Sequence, residues 1–356
     1  MELLYTNTFT LAPWLPTNLI SNLDLSLNPN AVDFLINNPQ YIDWNALCMN
    51  QNPKVLNILI NNIDNINWYL LSANPIAIPI LTNNKSNINW NEISSNPNAI
   101  DLIANRLNNV IWRQSVSSTP NVPILYHELH RLNWSKLSQN PNAIHILSKC
   151  RPYIDWINLS KNQNAIFLLQ TQYRSIDWFN LSGNPNAISI LERNPDKINW
   201  YKLSSNINAI HILEKNIDKI SNTMISANIN AIPLLFKYPE LIDWQVISSN
   251  PNAIDLITVY FEQRKYELDW SQLSCNPNAI PLLERNLDMI DWTTVWSNPN
   301  IFNEVHIYNY ELIRQYKRVI NEALIAYSFH PRNITNGLLE RLGFNDFEFS
   351  DEDFIM

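Results

Sequence analysis

The sequence predicts an all-α chain: an α-solenoid of about thirteen 22-residue repeats, each folding as two short helices, followed by a C-terminal helical cap. Three observations predict it. Tryptophan recurs at 44, 68, 90, 112, 134, 156, 178, 200, 244, 270 and 292, mostly in steps of 22. A motif Asn-Pro-Asn-Ala-Ile follows at a constant offset, as at Asn184 to Ile188 and Asn250 to Ile254. The chain has only 3 glycines, too few for the positive-φ turns of a hairpin-rich β protein, and no period-2 alternation stands out.

Residues 1–21, with Pro13 and Pro16 around Trp14, read as an irregular lead-in that covers the first repeat. The repeat array spans 22–305. Asn22 and Asn222 stand in the Trp slot, and two steps are longer than the rest, Trp44 to Trp68 and Trp244 to Trp270. With that slot as position 1, position 4 is aliphatic (Leu137, Leu159, Leu181), position 5 is usually Ser, and positions 13 and 14 are aliphatic, as Ile146 and Leu147. Position 22 is mostly Asp or Asn, such as Asp155 or Asn199, and is placed to cap the first helix. Trp and the position-4 residue share a helical face and are expected in the core. The Asn-Pro pair at positions 7 and 8 stops that helix. Pro79, Pro233 and Pro281 at position 12 must fall in a first turn, so the second helix is expected to begin after a position-9 cap such as Asn230 or Asn278. Helices this short do not hold alone. Each repeat must bury its apolar side chains against its neighbours, and stacked repeats make a solenoid.

The Asn-Pro-Asn motif followed by two aliphatics, as in Asn184-Pro185-Asn186 with Ile190-Leu191, resembles the short α-repeats of the leucine-rich variant class. The fuller unit, Asn-Pro-Asn-Ala-Ile and then Ile-Asp-Trp, resembles Asn- and Ile-rich repeat proteins of large nucleocytoplasmic DNA viruses over about residues 22–305. That resemblance implies a viral source, and with it a place in the host cytoplasm or the virion.

Beyond Val305 the pattern changes. Tyr310 to Ser328 reads as an amphipathic helix and a second helix runs to Leu342, so 306–344 is expected to cap the array. Residues 345–356 form an acidic tail.

The formal net charge is −8, which weighs against nucleic-acid binding, a process that needs concentrated Lys and Arg. A stacking platform of tryptophans stays the third reading. Cys48, Cys150 and Cys275 lie far apart and fit no zinc spacing, so free thiols in an intracellular compartment are expected. No leader and no membrane-length apolar run is read from the sequence. His127, Glu128 and His130 lack the spacing of a metalloprotease helix. His145 and His211 occupy a variable slot, and no serine has a histidine at a fixed offset. The expectation is therefore no enzyme, no metal, no cofactor and no small-molecule substrate.

What remains is a scaffold that binds a host or viral protein, with a virion structural component as the alternative. Positions 2 and 3 of the first helix are mostly polar, yet successive repeats place Ile157, Phe179, Tyr201, Met224 and Val246 there. These five are the candidate partner-binding residues.

Overall fold

The computed structural model describes residues 5–107 and 131–308, with Arg314, Lys317 and Arg318. The described chain is mostly helical, with almost no strand. It divides into two units, Leu11–Asn303 and a smaller one of Met1–Thr10 with Glu304–Met356.

One repeat of the larger unit stands for the others. Asp177 caps the Trp178–Ser182 helix by accepting from the Asn180 N–H at 2.8 Å. Asn184 then caps a 3-10 turn, Pro185–Ala187, whose first residue is the proline. That turn runs into the helix Ile188–Glu192, and a second 3-10 turn, Pro195–Lys197, leads to the next cap, Asn199. The position-22 cap expected from the sequence is present. The position-9 cap is not. Asn230 and Asn278 bond outward, to Ile207 and Pro251 of the preceding repeats. The position-7 asparagine does the capping, and the position-12 prolines still fit because they fall in the first turn of the α-helix that follows. In the repeat beginning at Trp244, the four extra residues lengthen the second helix to Ile254–Arg264, about one turn more.

Three series of hydrogen bonds join each repeat to the one before. In the first, the buried position-7 asparagine donates both amide hydrogens to the carbonyls of positions 5 and 7 of the preceding repeat, at 2.8–3.3 Å. Its Oδ1 accepts the N–H two residues on, as Asn184 does from Asn186 at 3.0 Å. A buried amide is tolerated only when its donors and acceptor are used, and here they are. In the second, the position-9 asparagine donates to the position-8 carbonyl of the preceding repeat, as Asn208 does to Pro185. In the third, the position-5 serine accepts the N–H of the following cap residue, as Ser182 does from Asn199 at 2.9 Å, while donating to the carbonyl of its own Trp178. Small size alone therefore does not account for serine. The slot needs a hydroxyl that donates and accepts at once.

Two features differ from the reading of the sequence. First, the rung after Asn96 belongs to Asn140, which donates to Ser94 and Asn96 themselves, both at 3.1 Å. Asn140 thus follows Asn96 directly, and twelve asparagines make the ladder among the described residues. Residues 108–130 lie outside the described ones. Second, the ladder has no free end. Asn28, in the first repeat, donates to Trp296 at 3.0 Å and to Asn298 at 2.9 Å, and Asn30 donates to Pro299 at 3.0 Å. The unit Leu11–Asn303 closes on itself in the register of its internal joints. The outer face of the last repeat, expected beneath a C-terminal cap, is covered by the first repeat. Residues 309–356, where the cap helices and the acidic tail were expected, lie outside the described residues apart from Arg314, Lys317 and Arg318.

The core follows the ladder. Position 4 (Leu181, Leu203, Ile225), the alanine of position 10 (Ala187, Ala209) and position 14 (Leu191, Leu213) are fully buried. The slot tryptophans sit at its rim. Trp244 is buried, and the other described ones keep an edge in water. The reason is chemical: the indole packs on polar-headed neighbours, with the Lys197 ammonium 4.9 Å from the Trp178 ring and Lys219 4.6 Å from Trp200. At the seam, Trp296 replaces the serine of position 5 and is completely buried, and Phe34 meets Phe302 at 6.2 Å.

Two strands, Tyr5–Leu11 and Phe302–Tyr308, form a two-stranded sheet. Residues 5–11 were expected to be irregular, and 306–308 to belong to a helical cap. The run Tyr-Thr-Asn-Thr-Phe-Thr-Leu is rich in β-branched and aromatic residues, which favours strand once an edge is present to pair with.

Candidate interaction surface

The first helices of neighbouring repeats pack against one another, so residues at the same position form rows across the array. Positions 4 and 5 of each row are buried and position 2 faces water. In seven of the twelve described repeats the position-2 side chain is polar, and four of these are tied to the next cap: Asn67 donates to Asn45, Asn133 to Asn91, Ser135 to Asp155 and Thr223 to Asp243. Those side chains hold one repeat to the next.

Three consecutive repeats break this rule. Ile157, Phe179 and Tyr201 occupy position 2 on the helices Trp156–Lys161, Trp178–Ser182 and Trp200–Ser204, with exposures of 57%, 46% and 49%. Met224 and Val246, expected to continue the row, are only partly exposed. They stand at position 3, about 100° further round the helix, where side chains turn toward the neighbouring repeat. Position 2 in those repeats is Thr223 and Gln245, so the apolar row ends at Tyr201. Tyr69, 54% exposed, and Leu23, 51% exposed, also sit at position 2 but stand singly between polar neighbours. The slot alignment was the signal for both, although neither was singled out from the sequence.

The row has a basic border. Lys161 follows Ile157 by four residues and so shares its helix face. Lys202 Nζ lies 5.1 Å from the Phe179 ring. Further along, Lys136 pairs with Glu92 at 2.6 Å. The Tyr69 hydroxyl is pushed up in pKa, first by its hydrogen bond to Glu92 and then by that carboxylate's charge. Asp155, at the head of the Ile157 helix, is held below its usual carboxylate value. Burial is the largest single influence and raises it, but bonds from Ser135, the Asn158 side chain and the N–H groups of Asn158 and Ile157 together outweigh burial.

His145 and His211 are exposed, and His211 Nε2 lies 3.0 Å from Glu192. His127, Glu128 and His130 lie outside the described residues. Among the described residues no group of three or more His, Cys, Asp or Glu is arranged to hold a metal ion. Cys48, Cys150 and Cys275 are unpaired, and burial is the leading cause of the raised pKa of Cys48 and Cys150, which keeps these two thiols protonated. No described helix is long and apolar enough to cross a membrane.

No family model matches the chain, and no curated protein or solved structure matches it.

Proposed function

We propose that the chain is a non-catalytic protein-interaction scaffold, a closed α-solenoid that presents one apolar row to a protein partner. The observation that carries this reading is the run Ile157, Phe179, Tyr201. It replaces three consecutive tethering positions with exposed apolar side chains, in an array whose other position-2 residues are mostly polar. Nothing in the ladder uses these side chains, and contiguous exposed apolar groups with aromatic members are common at interfaces. A closed ladder also suits a scaffold, because it holds the row at a constant spacing.

The test is the double substitution Phe179→Asp and Tyr201→Asp. The variant should keep the helical circular dichroism and melting temperature of the parent while losing partners in a pull-down read by mass spectrometry. A loss of melting temperature like that of a core substitution such as Leu181→Ala would show that these side chains support the fold, and the reading would fall.

A further inference from the structure

We infer that the partner presents an acidic segment, one carboxylate of which seats in a cleft floored by Gly183 between Lys161 and Lys202, beside the apolar row. The inference rests on the protein-interaction reading and adds the chemistry of the partner to it.

The cleft is lined by Lys161, Asn180, Gly183, Asn184, Lys202 and Ser205, and encloses about 170 Å³. Position 6 lies one helical turn from position 2, so Lys161, Gly183 and Ser205 run directly beside Ile157, Phe179 and Tyr201. Cleft and row form one surface across the same three repeats.

Gly183 is what opens it, and the fold does not ask for glycine there. Its backbone is ordinary, with φ −85° and ψ −6°. A Cβ would meet the Asn180 carbonyl at 3.7 Å, the Lys202 carbonyl at 3.8 Å and Lys202 Cβ at 3.9 Å, all normal contacts. Other repeats carry Met49, Gln139 or Lys161 in this slot. A missing side chain that neither backbone nor packing requires leaves room for something else.

The lining selects an anion. It contains two ammonium groups and no carboxylate. Lys161 Nζ reaches only the Asn158 amide oxygen, at 3.2 Å, and Lys202 Nζ rests over Phe179. Neither is paired with a carboxylate among the described residues. The two carbonyls nearest the floor already accept hydrogen bonds, Asn180 from the Gly183 N–H and Lys202 from the N–H and hydroxyl of Ser205. A chain of net charge −8 thus places two cations with no carboxylate partner among the described residues next to the exposed apolar row of Ile157, Phe179 and Tyr201. An acidic segment with apolar side chains matches both halves of that surface.

The experiment pans a library of random 12-residue peptides, displayed on phage, against the full chain, with counter-selection on Phe179→Asp/Tyr201→Asp. The inference expects recovered peptides rich in Asp and Glu beside apolar residues. Their synthetic versions should bind about ten-fold more weakly to Lys161→Glu/Lys202→Glu, a size typical of a charge pair lost at an interface. They should also weaken on Gly183→Gln, which fills the cleft, while both variants melt as the parent does. Recovered peptides that need Phe179 and Tyr201 but are neutral or basic, and indifferent to the lysines, would overturn the acidic partner and leave the apolar row standing. Peptides indifferent to Phe179 and Tyr201, or none recovered, would overturn both. Self-association in sedimentation that Phe179→Asp/Tyr201→Asp abolishes would make the occupant a second copy of this chain, and would also overturn the inference.

Discussion

Asn28 and Asn298 are 270 residues apart in sequence and joined by a hydrogen bond of 2.9 Å, from the side chain of one to the main-chain carbonyl of the other. The same bond joins Asn184 to Asn162 and Asn206 to Asn184, 22 residues apart. The contact between the first and last repeats is thus chemically one more rung.

Each rung should be expensive to remove. Asn184→Ala deletes two donated bonds and one accepted bond in a buried place and strands the Ser160 carbonyl, while that of Asn162 keeps the Ala165 N–H. The expected loss is roughly 3–5 kcal/mol, from about 1 kcal/mol per bond plus the desolvation of the groups left behind. Urea unfolding measures it. A loss under about 1 kcal/mol, the size of an ordinary surface substitution, would show that the ladder contributes little.

The serine relay should show the same logic on a smaller scale. Ser182→Ala removes the acceptor of the Asn199 N–H. It should cost about 1–3 kcal/mol, the usual cost of an unsatisfied buried donor. Ser205→Ala, at the neighbouring half-buried slot, loses only a hydroxyl bond to a carbonyl that also accepts the Ser205 N–H, and should be nearly silent in the same assay.

One rung is missing by nature and can be supplied. Ile76 holds position 9 where the other described repeats have asparagine, so the Gln51 carbonyl lacks the bond that Asn98 gives to Pro75. Ile76→Asn should stabilise the chain by about 1 kcal/mol, the net worth of one added hydrogen bond. A destabilised variant would show that the packing of Ile76 outweighs the bond.

Acid should loosen the caps. Asp155 and Asp291 have folded pKa values below their ordinary one. For Asp291 the Thr293 hydroxyl is the largest cause and burial opposes it. A depressed folded pKa adds stability above the unfolded value, and that stability is lost as pH falls through the folded value. The melting temperature should therefore drop on acidification below the usual carboxylate range. The double variant Asp155→Asn/Asp291→Asn, which can still cap, should drop less. An equal acid slope in the two proteins would contradict this.

Much of the repeat was legible in the sequence because its signals are local. The position-22 cap, the helix stop before proline and the buried position-4 leucines depend on neighbours within a turn or two. The ladder was not, because the partners of Asn184 Nδ2 lie 22 and 24 residues back, beyond any local propensity. A faint signal existed: position 7 stays asparagine in every ladder repeat, whereas a cap alone would accept Asp or Ser. The closure was not legible, since Asn28 is the same residue as in any other repeat and the seam is marked only by larger side chains, Trp296, Ile301 and Phe302, in the last repeat. Of the five candidate residues read from the slot pattern, Ile157, Phe179 and Tyr201 are exposed and Met224 and Val246 only partly so, because one position of helical rotation decides exposure.

The closure of the repeat array is tested most directly by a distance. Spin labels at Leu23→Cys and Thr293→Cys, in a chain whose three native cysteines are replaced by alanine, report on position 2 of the first and last repeats. Both sites are exposed and outside the ladder. A closed ladder places them as neighbours, so double electron–electron resonance should give a single short distance, below about 25 Å once label length is added to a helix-packing distance of about 10 Å. Twelve repeats stacked in an open array would put eleven such spacings, on the order of 100 Å, between them. A distribution extending to such lengths, or no dipolar signal, would contradict the closed array.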